Sequence, residues 1–217
     1  MKIPKTEFLA INNDWKAVKN VCRATMNKEP TDYEATEEFK IKMLIAEHSP
    51  IRLITFRWIW RGIQSWVCTH FVRHFLGWIP FVSTQRSDRT GVDRKKLPQD
   101  NPVSLTVDAN AQACINVQRK RLCYQCSEDT RLQAEELKRS LTNIDKPVGD
   151  VLVPNCIYRA GCPELEMCPQ KHWAVFLRYC KERELPINTI RARYDAYNQF
   201  FEEGIMYKED VENVYGE

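Results

Sequence analysis

The chain has 217 residues, of which 43% are hydrophobic and 28% are charged, and its formal net charge is +3. This length suits one globular domain with a real core, and so small a net charge excludes a protein that binds nucleic acid through overall charge alone. No stretch approaches the roughly 20 apolar residues of a membrane-spanning helix, and the N-terminal stretch shows no export signal. We therefore expect a cytoplasmic protein without a membrane partner.

In chain order, the first half alternates helical and extended patterns. Residues 36–48 place apolar side chains at helical spacing and end before a proline, which predicts a helix. Residues 51–60 (IRLITFRWIW) mix β-branched, aromatic and charged side chains in rough alternation, which predicts a half-buried strand that Gly62 ends. A second helix is predicted at 63–75, and another strand at 81–84.

The second half is predicted to be mainly helical. The polar segment 87–104 is expected to be a mobile surface loop, and 106–144 is expected to be the longest helical region, two helices that meet near Ser127. The remaining predictions are a short strand or turn at 151–154, helices at 170–182 and 188–202, and a frayed tail after 205. The expected fold class is α+β, a single domain over residues 1–217 with a small, mainly antiparallel sheet packed with several helices and a helical extension.

One segment combines basic and apolar side chains at high density. Residues 68–91 (CTHFVRHFLGWIPFVSTQRSDRTG) hold two histidines and several arginines among aromatic residues. Guanidinium groups bind phosphate bidentately, hydroxyl groups add donors, and aromatic rings offer a stacking surface. The segment therefore predicts a site for a nucleotide or a flavin. From these residues alone, the alternative is a structural cluster of ion pairs.

The run EHSPIRLITFRWIWRGIQSWVCTHFVRHF, followed by STQRSDR, resembles the flavin-dependent thymidylate synthases, as a divergent member. The motif of that family has a Ser-Pro element before a strand, a glycine, a helix that ends in Arg-His-Arg, and then a serine after seven or eight residues. The segments VLVPNCIYR and HWAVFLRY are similar to C-terminal parts of the family. The matching positions of the main motif are His48, Ser49, Pro50, Gly62, Ser65, His70, Val72, Arg73, His74 and Ser83.

The resemblance implies an activity. It implies an enzyme that transfers a one-carbon unit from methylenetetrahydrofolate to C5 of dUMP to give dTMP, using FAD that NADPH reduces. It also implies a homotetramer whose active sites are shared between subunits, with a pyrimidine nucleotide and folate as partners. The alternatives are C5 hydroxymethylation of a pyrimidine nucleotide, and a non-catalytic protein that keeps the fold and binds a nucleotide or nucleic acid. The low net charge disfavours nucleic acid.

The resemblance also implies roles for residues of this chain. Arg178 and Ser83 are expected to be catalytic, with Arg178 stabilising negative charge that develops on the pyrimidine. The family has an arginine after this serine, and its counterpart in this chain stays open between Gln85, Arg86 and Arg89. The expected substrate-binding residues are His70, Arg73, Ser83, Thr84, Gln85, Arg86, Arg89 and Arg178. The expected cofactor-binding residues are Ser49, Arg73, His74, Phe75 and Leu76.

The chain departs from the family pattern on the flavin side. Phe75 stands where the family has an arginine, Phe81 and Val82 stand near the place of an acidic residue, and 167–170 shows no counterpart of the asparagine and arginine that hold the flavin. The structural alternatives are an ion pair for Arg73, a core position for His74, a turn cap for Ser83 and a helix cap for Arg178.

The nine cysteines raise a separate question. Their number is odd and their spacing irregular, so a disulfide framework is not expected. A tetrahedral zinc site and buried free thiols are the two alternatives. We expect free thiols and no metal ligand, and single out Cys162 in the sequence GCPE. The candidate ligands for zinc are Cys123, Cys126, Cys156, Cys162, Cys168 and His172.

Overall fold

A computed structural model describes residues 3–206 of the chain. The predicted frayed tail lies, from residue 207 onwards, outside the described residues. The described helices are α1 Trp15–Ala24, α2 Glu37–Ile45, α3 Ser65–Val72, α4 Ser87–Thr90, α5 Ala111–Arg121, α6 Glu128–Ile144, α7 Lys146–Asp150, α8 Asn155–Arg159, α9 His172–Glu182 and α10 Ile190–Glu202. The described strands are β1 Glu7–Asn12, β2 Thr55–Gln64, β3 Trp78–Val82 and β4 Pro102–Asn110. Among the described helices, none is both long and apolar enough to cross a membrane.

The four strands form one sheet in the order β1-β2-β4-β3, and every neighbouring pair is antiparallel. This confirms the α+β class with a small antiparallel sheet. Strands β1 and β3 are the two edges, and β2 and β4 lie at the centre. The N-terminal strand β1 is absent from the sequence predictions.

The side chains of β2 explain why one face of the sheet is packed. Phe56, Trp58 and Trp60 are spaced two residues apart, so they point to one face, and each is at most 1% exposed. Arg57 points to the other face and forms an ion pair with Asp108 of β4. The sheet thus has one apolar face, packed against helices, and one face that carries charge.

The prediction that Gly62 ends the strand is wrong. Gly62 has φ +78°, and the register of β2 against β4 shifts between Arg61 and Ile63. A glycine with positive φ at such a shift forms a β-bulge, which bends a strand without ending it. Strand β2 therefore continues to Gln64, and α3 begins at Ser65. At the other end of the strand, the prediction is wrong for residues 51–53, because they lie in a 3-10 helix, Ser49–Leu53.

The prediction of a helix from residue 106 is also wrong at its start. Residues 103, 105, 107 and 109 of β4 are buried and alternate with less buried positions, which is the period of a strand. The helix begins only after Asn110, whose Oδ1 accepts a hydrogen bond from the N–H of Ala113 at 2.9 Å. This is an N-cap, so the sequence changes from strand to helix at Asn110.

The remaining helical predictions fit the structure. Helices α5 and α6 are separated around Ser127, and α2, α9 and α10 lie within the predicted ranges. At 151–154 the turn alternative is confirmed, since these residues are buried without forming a strand. The segment 87–104 contains α4, a second 3-10 helix at Arg94–Lys96 and the first residues of β4, and its mobility stays a prediction.

Candidate functional site

Helix α3 and the turn after it carry the first group of predicted site residues. Val67, Cys68 and Phe71 are buried on one face of α3 and hold the helix against the sheet. The ring of Phe71 lies 4.9 Å from that of Trp60 and 6.2 Å, stacked, from that of Trp78. This packing fixes the end of α3, so the residues that follow Phe71 emerge at a defined place beside β3.

His74 is half-buried and held by an arginine that the sequence analysis did not identify. Nε of Arg121 donates a hydrogen bond to Nε2 of His74 at 3.0 Å, and the ring of Trp78 lies 6.3 Å away, edge-on. Burial, and next the charge of Arg121, lower the pKa of His74 from 6.5 to about 4. His74 is therefore neutral at pH 7, and because Nε2 accepts, its proton lies on Nδ1.

The same arginine also fixes the backbone of α3. Nη2 of Arg121 donates to the carbonyl oxygen of His70 at 2.6 Å, while Nδ1 of His70 lies 2.8 Å from Oγ1 of Thr130 on α6. Burial, followed by the charges of Arg121 and Arg73, lowers the pKa of His70 below its usual range. Both histidines are thus kept neutral beside fixed positive charge.

Arg121 is the residue that sequence reasoning missed. It ends α5 in the run QRKR, which supplies three basic residues to the last turn of that helix. Basic residues there are ordinarily explained by the helix dipole, so this signal alone does not indicate a site. Only the packing of α5 beside α3 brings the guanidinium to His74 and His70.

Arg73, Phe75 and Leu76 face solvent. Arg73 is exposed and forms no hydrogen bond or ion pair within the described residues, so the ion-pair alternative for it is not supported there. Phe75 is 77% exposed and Leu76 is 76% exposed. A guanidinium beside two bare apolar side chains leaves both a charge and a contact surface for another molecule.

Ser83 and its neighbours form the second group. Ser83 extends the pairing of β3 with β4, because its N–H donates to the carbonyl of Ser104 at 2.8 Å and its Oγ accepts from the N–H of Ser104 at 2.9 Å. Oγ1 of Thr84 accepts the N–H of Arg86 at 3.2 Å, and the Arg86 guanidinium pairs with Asp88 at 2.7 Å. These hydroxyl groups already have structural roles, while the proton of Ser83 stays available to donate.

Three other predicted site residues lie in different settings. Arg89 is exposed and its Nε lies 3.9 Å from Asp88, whereas Gln85 is half-buried. Ser49 is exposed at the start of the 3-10 helix Ser49–Leu53. Arg178 is exposed and has an interaction partner, and it lies on α9, which packs against α10. Helix α3, in contrast, packs mainly against β2, β3, β4 and α6.

Strand β3 separates the two groups within one chain. Residues 70–76 precede the strand and residues 83–89 follow it. At 3.3–3.4 Å per residue, the five residues of β3 extend for about 17 Å. The structure therefore brings His70, Arg73 and His74 together, and the length of β3 lies between this group and Ser83 along the chain.

The sheet, with α3 before its edge strand, has the fold of the flavin-dependent thymidylate synthases. Two of the solved structures that share this fold hold a nucleotide. One is the flavin-dependent thymidylate synthase ThyX from Helicobacter pylori complexed with FAD and dUMP, at TM-score 0.57 and 11% identity, covering 69% of this chain and 99% of that chain. The other is the UMP/dUMP methylase PolB from Streptomyces cacaoi bound with 5-Br dUMP, at TM-score 0.55 and 12% identity, covering 68% of this chain and 93% of that chain.

These comparisons confirm, at the level of the fold, the resemblance that the sequence motif indicated. No protein-family model matches the sequence, and no curated protein matches it. About a third of this chain lies outside the shared fold in either comparison.

Proposed function

We propose that this protein is an enzyme that modifies C5 of a pyrimidine nucleotide, and that its reaction is the FAD-dependent methylation of dUMP to dTMP. Methylenetetrahydrofolate supplies the one-carbon unit and NADPH the reducing electrons in this proposal. The observation that carries it is the group at the end of α3, where an unpaired Arg73 guanidinium lies next to a neutral His74 held by Arg121. Two enzymes that share the fold were solved with pyrimidine nucleotides.

Arg73 is assigned to bind a phosphate of the nucleotide or of the flavin. An exposed guanidinium without a carboxylate partner can offer two parallel N–H donors to phosphate oxygens. Neighbouring charge favours an anion as well, since Arg121 is cationic and both histidines beside it are neutral. The group thus fits the anionic part of FAD or of a nucleotide, without the need to displace an existing ion pair.

His74 and Phe75 are assigned to the ring system of the cofactor. The neutral His74 presents an Nδ1–H donor whose direction is set by the hydrogen bond at Nε2. Phe75 replaces a charge of the family motif with an exposed aromatic face, which suits stacking on a flat ring. FAD, when bound, would supply electrons for reduction of the transferred carbon, while these residues bind and orient its ring.

A second chain is proposed to complete a site that contains both groups of predicted residues, since the extended strand β3, about 17 Å long, lies between them in one chain. The edge position of β3 supports this arrangement. Ile79, Phe81 and Val82 are 53%, 57% and 47% exposed, and an exposed apolar edge strand is suited to contact with another chain. We propose the homotetramer with shared sites on this basis, with Ser83 and Arg89 of one chain facing Arg73 of another.

The test is an absorbance spectrum of the purified protein with added FAD, before and after addition of dUMP. We expect bound flavin whose bands shift when the nucleotide binds. Arg73→Ala should abolish nucleotide or flavin binding while the circular dichroism spectrum is unchanged. Arg159→Ala, an exposed arginine on α8, is the matched control and should bind as the wild type does.

Product analysis then separates the reactions. Mass spectrometry of dUMP incubated with methylenetetrahydrofolate and NADPH should show a gain of one methyl group. A hydroxymethyl product would instead show that the reaction is C5 hydroxymethylation, the second candidate function. The presence of Phe75 where the family has a charged residue favours this candidate. Absence of flavin binding under all conditions would contradict the enzyme proposal and leave nucleotide binding without catalysis.

A further inference from the structure

Four of the nine cysteines meet in one pocket outside the α3 site. The sulfur-bearing side chains of Cys123, Cys156, Cys162 and Cys168 line it together with the ring of His172. Among the described residues all nine cysteines are free thiols. Cys126, the second cysteine of the C-x2-C motif, is not among the lining residues. The fold therefore places these four thiols together, and the spacing of the cysteines in the sequence does not identify this set.

Three separate parts of the chain supply these thiols. Cys123 follows the end of α5, Cys156 lies on α8, and Cys162 and Cys168 lie in the segment between α8 and α9. His172 is the first residue of α9. The side chains of a structural metal site commonly come from separate segments of the chain. The bound ion then links these segments and stabilises the fold.

Burial raises the pKa of the Cys123, Cys156 and Cys168 thiols, and backbone hydrogen bonds to the sulfurs act against that effect. The backbone N–H of His172 donates to Sγ of Cys168 at 3.3 Å, from the N-terminus of α9. The backbone N–H of Gln125 hydrogen-bonds to the Cys123 side chain. Nδ1 of His172 lies 3.3 Å from Sγ of Cys156. Hydrogen bonds to sulfur and a helix N-terminus both stabilise negative charge on a cysteine.

The wall of the pocket is apolar and its free space is small. Tyr124 stacks on the ring of His172 at 4.7 Å, and Met167 and Trp173 also line the pocket. The space open to a water-sized sphere is about 10 Å³, which is close to one such sphere. This space is about the size of one small ion.

We propose that Cys123, Cys156, Cys162 and Cys168 bind one thiophilic divalent cation of the Zn²⁺ class, with His172 as a hydrogen-bond donor to Cys156. Structural Zn²⁺ sites are tetrahedral, and four cysteine thiolates are one of their common ligand sets. On binding, each thiol releases its proton to solvent and forms one sulfur–metal bond, and no electron is transferred. The complex carries net negative charge, and Lys171 at the pocket and Arg131 above the Tyr124 ring supply positive charge nearby.

Binding requires a small closure of the pocket. As the side chains lie in the structure, no group of three or more His, Cys, Asp or Glu among residues 3–206 is arranged to hold a metal ion. A cysteine has one side-chain torsion, and its rotation between staggered positions moves the sulfur. Cys162 is only half-buried, so its side chain can change rotamer without entering the packed core.

The experiment measures metal in the reduced, full-length protein. The protein is freed of metal with a chelator under reducing conditions and then titrated with Zn²⁺ or Co²⁺. We expect one ion per chain, and for Co²⁺ the intense visible bands of a tetrahedral site together with a sulfur-to-cobalt charge-transfer band. Cys162→Ser and Cys168→Ser should each weaken binding by more than the about 10–100-fold typical of loss of an outer-shell contact.

Cys126→Ser is the matched control. It lies in the same C-x2-C motif as Cys123 but outside the pocket, so it should bind Zn²⁺ as the wild type does. Failure of the reduced wild type to bind Zn²⁺ or Co²⁺ would overturn the proposal. A disulfide within the four, a bound iron–sulfur cluster, or equal loss of binding in Cys126→Ser would overturn it as well. None of these readouts depends on flavin, nucleotide or enzyme activity.

Discussion

Replacement of Arg121 by methionine should raise the pKa of the His74 imidazole. In the wild type this pKa is lowered from 6.5 to about 4, with burial as the larger cause and the Arg121 charge as the smaller one. Arg121 therefore accounts for less than half of a difference of about 2.5, and its removal should raise the pKa by at most about 1. Methionine keeps much of the apolar stem of the side chain, so the packing of α5 against α3 should be retained.

The sign of the stability effect follows from linkage. The folded protein binds a proton at His74 less readily than the unfolded chain does, so stability is complete above pH 6.5 and is lost as pH falls towards 4. For a half-buried group, solvent screening reduces the expected contribution to about 1–2 kcal/mol. In Arg121→Met the stability lost at low pH should be smaller, because the pKa values of His74 in the folded and in the unfolded protein lie closer together.

The assay is a pH titration of the imidazole C–H resonances by NMR, with His74 assigned from the signal that disappears in His74→Gln. Lys120→Met is the control, since it removes one positive charge from the same helix at an exposed neighbouring position. A His74 midpoint near 6.5 in the wild type would refute the burial argument. A midpoint that stays at about 4 in Arg121→Met would refute the role of the guanidinium.

Two further substitutions test the fold. Gly77 has φ +71°, and a Cβ there would lie 2.5 Å from Nδ2 of Asn110, whereas Gly62 has φ +78° and open space. In urea unfolding, Gly62→Ala should lose about 1–2 kcal/mol and Gly77→Ala more, and equal losses would contradict the clash with Asn110. Lys138 is buried and its pKa is lowered to about 7 by burial. Wild-type stability should therefore rise between pH 7 and about 10.5, and Lys138→Met should remove that rise.

Local sequence patterns were sufficient for most helices, because each shows its period within its own residues. The helical spacing at 36–48 and the polar break at Ser127 needed no distant information. The strand β4 was missed because its alternating pattern runs without a turn signal into the cap at Asn110. The bulge at Gly62 could not be predicted, since it is defined by the register of β2 against β4, strands far apart in sequence.

The candidate site was predictable only in part, for a similar reason. The motif identified Arg73 and His74 and the segment from Ser83, which are close in sequence. Their separation along β3 depends on the strand being extended, and the segment was predicted to become strand only from residue 81. The partner of His74 is Arg121, which lies 47 positions away, so no local pattern joins them.

The end of α5 connects the two proposed sites. Arg121 holds His74, and two residues later Cys123 lines the cysteine pocket. A metal ion bound by Cys123 would therefore fix the end of this helix and, through it, the guanidinium at His74. We expect loss of the ion in Cys162→Ser to move the His74 midpoint upwards, as in Arg121→Met but by less. If Cys162→Ser loses the ion and the His74 midpoint is unchanged, the pocket stabilises the C-terminal helices without influence on the nucleotide site.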